Sequence, residues 1–216
     1  GDLGPRFGRA ILTALALLAP LQIGVFVNAR AIVDLVIAHG DVTPETAARV
    51  TGIVRWMAIA PVGALLLRMT LVRVLAEPAL PMTRLVGAAV VLELLGRLAL
   101  FAGLSPVLGL EAVPVGLTLA PVAPAVFLAL ALGRRAAFGW GDAARSCRPV
   151  LIASALGAVA IVAGSALGAA LVPSVAASLG PVPKLGSLLQ LAASGLLGGL
   201  ALLAAIRLVK VPPAGL

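Results

Sequence analysis

The chain has 216 residues, 62% of them hydrophobic, 11% charged and 3% aromatic, with a mean hydropathy of +1.17 and a formal charge of +8. Ordinary globular chains carry about 25% charged residues, and a core of this size cannot hide so much apolar surface from water, so the main solvent is lipid. Intrinsic disorder, collagen and a disulfide scaffold are excluded: Cys147 is the one cysteine and His39 the one histidine, leaving no disulfide, CxxC or His-rich metal site.

Divided by the roughly 20 apolar residues that cross a bilayer, plus loops, the length predicts about six helices. The opening GDLGPRFGRA is a polar approach without a cleavable signal pattern, and the chain is expected to be an excerpt of a longer one. Span A runs from about Phe7 to Val27 and contains Pro20, which neighbouring helices make tolerable in lipid. Residues 30–39, RAIVDLVIAH, are too short and too charged to cross. With Ile32, Val33, Val36 and Ile37 on one side they predict an interfacial helix, in which Arg30 and Asp34 pair at i,i+4. Gly40 ends it. Thr43 is then placed as N-cap, Pro44 at the first helical position and Glu45 in the first turn, where it complements the dipole.

The helix that begins there is long, with apolar span B at residues 51–76 and Pro61 as a bending point. After EPALP, span C covers 82–102. Span D covers 111–132 and carries Pro114, Pro121 and Pro124, so it is expected to be bent or partly unwound. The polar stretch GRRAAFGWGDAARSCRP separates it from span E at 149–171, and a Pro- and Gly-containing turn leads to span F at 185–209. The fold class is therefore an all-α integral membrane protein, a single six-helix transmembrane bundle.

Basic residues assign the sides. Arg6, Arg9, Arg68, Arg73, Arg84, Arg134, Arg135, Arg145, Arg148, Arg207 and Lys210 fall in one compartment, against Arg30, Arg49 and Lys184 in the other, where Asp34, Asp41 and Glu45 also lie. Both termini of the segment are predicted cytoplasmic. The same distribution argues against nucleic acid as a partner, because the charges flank apolar runs and gather on no solvated face with stacking aromatics.

Ionisable groups inside a span are expensive and are candidate sites. Arg55 lies about one turn inside the outer end of B; Glu93 is near the middle of C, and Arg97 is one turn farther on the same face. One reading is a charged substrate-binding patch that holds a pyrophosphate or sugar acid, Glu93 orienting Arg97. The other is an internal Glu93–Arg97 pair, with Arg55 snorkelling to the interface. Arg68 is a further substrate-binding candidate, though with Arg73 it also suits a topology anchor beside anionic head groups. Gln22, Asn28 and Gln190 are placed as hydrogen-bonding groups between helices, and Gly164-x-x-x-Gly168 and Gly195-x-x-x-Gly199 as sites of close helix approach. Ser146 and Cys147 are separated from His39 by the membrane, so neither a nucleophile–base pair nor a Cys/His metal pair forms; the chain reads as a non-enzyme without cofactor or metal.

The segment LLAPLQIGVFV, followed by RAIVDLVIAHGDVTPETAARV and a long helix ending ALLLRMTLVRVLAEPALP, resembles the MviN-type lipid II flippases of the multidrug/oligosaccharidyl-lipid/polysaccharide exporter superfamily. The corner is carried by Gly40, Val42, Glu45 and Thr46, and GLEAVPVGLTLA before Arg134 and Arg135 resembles the family's segment before an Arg-rich loop. The chain departs at EPALPMTR, which keeps only Pro81 and nearby Arg84 of the family turn, and at Arg97, where members often carry a small amide. The resemblance maps onto the last six of the family's fourteen spans, the second lobe. It implies transport of lipid-linked peptidoglycan precursor by alternating access in a bacterial cytoplasmic (inner) membrane, a bacterium also being indicated by the Ala-, Leu- and Arg-rich composition. The implied partners are an undecaprenyl-linked lipid, membrane lipids, the missing N-terminal lobe and cell-wall synthesis proteins; the implied tail groove runs beside Gly164, Gly168, Gly195 and Gly199. Export of another polyprenyl-linked oligosaccharide, or a non-transporting flippase-like scaffold, are the alternatives.

Overall fold

The computed structural model describes residues 3–37, 42–77, 80–132, 140–179 and 184–208. The corner around His39, Gly40 and Asp41, the loop bearing Arg134 and Arg135, the 180–183 turn and Lys210 lie outside the described residues. Every regular element among those described is helical: α1 (Leu3–Val27), α2 (Ala29–Val36), α3 (Pro44–Leu75), α4 (Met82–Leu108), a 3-10 turn (Gly109–Glu111), α5 (Ala112–Leu119), α6 (Val122–Leu132), α7 (Trp140–Leu179) and α8 (Leu185–Leu208). Among the described residues, five helical stretches are long and apolar enough to cross a membrane: Arg6–Val27, Pro44–Leu75, Met82–Leu132, Ala144–Ser178 and Leu185–Ala205. The chain suits a multi-pass membrane protein. Many large apolar side chains point outward, as lipid permits and water does not.

The stretch 82–132 holds what the sequence reads as two spans. α4 runs past the expected end at Ala102, through Pro106, and stops at Gly109, whose φ of +56° favours a residue without Cβ. The chain then turns back on itself: Gly96 faces Ala120, and Gly116 faces the Arg97 carbonyl and Leu100, so α5 and α6 run antiparallel to α4. The break expected from the prolines falls between Leu119 and Val122. Pro121 and Pro124 have no N–H to give the carbonyls of Leu117 and Ala120.

α7 is the largest departure from the sequence reading. It starts at Trp140, not Pro149, and continues to Leu179, not Leu171, with Pro149 and Pro173 inside it. Its opening is polar, but Ala143, Ala144 and Arg145 are strong helix formers, so polarity marked the end of the apolar span without ending the helix.

The chain divides into two compact units. Unit 1 comprises residues 1–15 and 56–146. Its core is Leu67 and Val74 of α3, Ala89 of α4, and Ala125, Leu128 and Leu132 of α6. In lipid such packing is held by dispersion and close approach more than by exclusion of water. Gly63 provides that approach: a Cβ there would lie 2.6 Å from the Thr118 carbonyl oxygen. The buried Thr118 hydroxyl shares its proton between the carbonyls of Pro114 (2.7 Å) and Trp56 (3.2 Å).

Unit 2 comprises residues 16–55 and 147–216. α3 begins as its cap residues predict, with the Thr46 N–H donating to Thr43 Oγ1 at 3.2 Å and Arg49 pairing with Glu45 at 2.7 Å. α2 packs on α8, and its Ala29, Ala31 and Val33 are buried. Val36 and Ile37, expected on the same side as Val33, are exposed. Val36 is the last residue of α2, so the exposure falls at the end of the helix. Arg30 and Asp34 pair at 3.1 Å.

Candidate functional site

Polar groups within the spans mark what the bundle can bind. On α4 the Arg97 guanidinium donates to Glu93 Oε1, forming the expected i,i+4 pair. The pair flanks Leu95, the midpoint of α4, and Arg97 is 46% exposed in its side chain against 22% for Glu93. Around it Val90, Val91, Leu94 and Leu98 are also exposed. The expectation of a pair enclosed between helices is therefore corrected: it lies at the edge of the α4 face that Ala89 and Gly96 turn toward α5 and α6, Glu93 partly covered and Arg97 open.

Arg55 lies in unit 2, its guanidinium carbon 5.8 Å from the centroid of the Phe26 ring. Phe26 is in the last turn of α1, so Arg55 stands at the end of that span, a depth suited to a cation–π contact at the membrane interface. Arg68 is exposed on α3 of unit 1.

Unit 2 also contains a cavity of about 350 Å³ along α1 and α8. The wall from α1 includes Pro20 and Gly24, with Asn28 just past its end continuing the four-residue spacing; the wall from α8 includes Ser194, Gly195, Gly198 and Gly199, with Ile161 of α7 also lining it. Gly195 and Gly199 face open space, so their lack of a side chain shapes the groove rather than a helix contact. Close approach on α8 falls instead at Gly198, against Ile161. Gly164 and Gly168 do not line the groove. A Cβ on either would stand 2.6 Å from a backbone oxygen of α8, Ala193 and Leu189 respectively, so both serve the α7–α8 contact.

One end of this apolar groove is polar. Asn28 is 1% exposed; its Nδ2 donates to the Gly24 carbonyl and to Ser194 Oγ, each at 2.9 Å, while its Oδ1 is buried without a partner. Gln190 Nε2 donates to Ser165 Oγ at 2.7 Å, joining α8 to α7, whereas Gln22 Nε2 is buried and unpaired. Ser165 and Ser194 are the partners that inspection of the sequence missed, and Gly24 and Gly198 the missed groove residues. The four-residue repeat Pro20, Gly24, Asn28 was the available signal. Among the described residues no group of three or more His, Cys, Asp and Glu could hold a metal.

Comparison with protein-family models, with curated proteins and with solved structures found no match.

Proposed function

We propose that the chain is the second lobe of an alternating-access flippase for a lipid-linked oligosaccharide, with the lipid-linked peptidoglycan precursor as its substrate. The observation that carries this reading is the Glu93–Arg97 pair, partly exposed at mid-length of α4. Arg97 is 11 residues from Leu108, the end of its helix, or about 16 Å along the axis, farther than an arginine side chain can snorkel. A charged pair at that depth faces a bundle interior or a water-filled cavity in nearly all membrane proteins. A first lobe opposite α4 would supply the remaining wall, and the head group would enter the cavity so formed. The α1–α8 groove, apolar and smooth where Gly195 and Gly199 lack side chains, suits the polyprenyl tail. Counting α5–α6 as a separate crossing gives the six spans of such a lobe and cytoplasmic termini.

The test uses the intact native protein in a Cys147→Ser background. Single cysteines at Glu93, Arg97 and the neighbouring Leu98 are treated with a membrane-impermeant maleimide. Labelling at 93 and 97 is expected; equal protection of all three sites would favour a closed, non-transporting scaffold.

A further inference from the structure

We propose that unit 1 binds the phosphate of an anionic membrane lipid between the start of α1 and the end of α3, with Arg6 and Arg73 as its ligands. A cavity of about 250 Å³ there is lined by Arg6, Phe7, Ala10, Val72, Arg73 and Ala76. Arg73 is 6% exposed, yet among the described residues its polar contact is with Glu77, at 3.4 Å through Nη1, and its buried Nε has no partner there. A guanidinium carries five N–H donors in a fixed fork, and a buried cation left with one long contact is a costly arrangement. The Nε and adjoining Nη of a guanidinium form a side-on edge that can donate to two oxygens of one phosphate.

The remaining walls identify the source of the phosphate. Phe7, Ala10, Val72 and Ala76 offer no donor to a free, strongly hydrated anion but suit the glyceride and upper acyl chain of a lipid. Depth agrees. Arg6 is the first residue of its apolar stretch and Arg73 lies in the last turn of α3, so both stand at head-group level. Arg6 is exposed and brings a second positive charge to the same cavity. This site lies in a different unit from the α1–α8 groove and does not depend on the transport reading.

The experiment places the intact protein in phosphatidylcholine nanodiscs with increasing mole fractions of phosphatidylglycerol and follows its thermal midpoint. Wild type is expected to be stabilised saturably. Arg6→Gln should raise the half-saturating mole fraction about fivefold, the equivalent of one cation near a lipid surface. Arg73→Lys, which keeps the charge and loses the fork, should weaken it comparably, while Arg84→Gln, an exposed basic residue outside the cavity, should leave it unchanged. Because Arg6 is exposed, its variant is expected to fold and decides the matter even where Arg73→Lys does not. Equal weakening by Arg6→Gln and Arg84→Gln would overturn the site in favour of diffuse attraction. Stabilisation by inorganic phosphate in pure phosphatidylcholine would overturn the lipid assignment.

Discussion

Replacing Gly164 with valine asks whether α7 and α8 are held at glycine distance or merely lie near each other. A Cβ at this position would meet the Ala193 oxygen at 2.6 Å, the Ser194 Cα at 2.8 Å and the Ala193 carbonyl carbon at 2.9 Å, where ordinary contact begins at 3.4 Å. All three obstacles are backbone, so no side chain can swing away, and α8 must retreat by roughly 0.8 Å to restore contact at the closest of them. That retreat would stretch the Gln190–Ser165 hydrogen bond, now 2.7 Å, toward the limit of a useful bond. Overpacking of this kind costs about 1–3 kcal/mol, with valine's extra methyl groups placing it near the upper end. The small gain in helix propensity over glycine offsets only a few tenths of that. Gly195→Val is the matched control, since nothing lies within 4 Å of its Cβ, and it should change stability by less than about 0.5 kcal/mol. Reversible unfolding of the intact protein in mixed micelles, followed by circular dichroism, measures both. Equal shifts for the two variants would refute the packing argument.

Other substitutions probe the remaining contacts. Asn28→Ala removes both Nδ2 bonds from a buried site and should cost about 1–3 kcal/mol, more than Ser194→Ala, which leaves the bond to Gly24; a double-mutant cycle reads the coupling. Thr118→Val keeps the shape but deletes the hydroxyl bond to the Pro114 and Trp56 carbonyls, for an expected loss of about 0.5–1.5 kcal/mol in the same unfolding assay. Gly199→Phe starts from a Cβ position with nothing within 4 Å and sends its ring into the α1–α8 groove, so stability should hold while retention of a polyprenyl phosphate, measured by native mass spectrometry, falls.

Much of the fold was legible because apolar runs of bilayer length mark the crossings. The end of α1 and the limits of α3 and α8 follow from apolar runs, from the Thr43 cap and from Pro44, all local signals, whereas α1 starts at Leu3, ahead of the apolar run at Phe7. α7 was misjudged at both ends because the apolar run measures the membrane, whereas helix ends are set by backbone chemistry, and neither Pro149 nor Pro173 breaks the helix. The Glu93–Arg97 pair could be read from i,i+4 spacing, but how far it is covered could not: that depends on the reversal at Gly109, which brings α5 and α6 onto the adjoining face of α4 at Ala89 and Gly96. The glycines divide similarly. Gly164-x-x-x-Gly168 and Gly195-x-x-x-Gly199 are identical patterns, and only the packing of α7 on α8 makes the first a contact and the second a groove wall.

The most direct test of the transport reading is movement of the lipid itself. The intact protein would be reconstituted into vesicles containing a polyprenyl-pyrophosphoryl disaccharide with a fluorescent head group, and an impermeant quencher added outside. Wild type should expose the inner-leaflet pool at a rate well above that of protein-free vesicles, and Arg97→Ala should slow it at equal protein content. Movement no faster than in protein-free vesicles, from protein shown to be folded, would contradict the account.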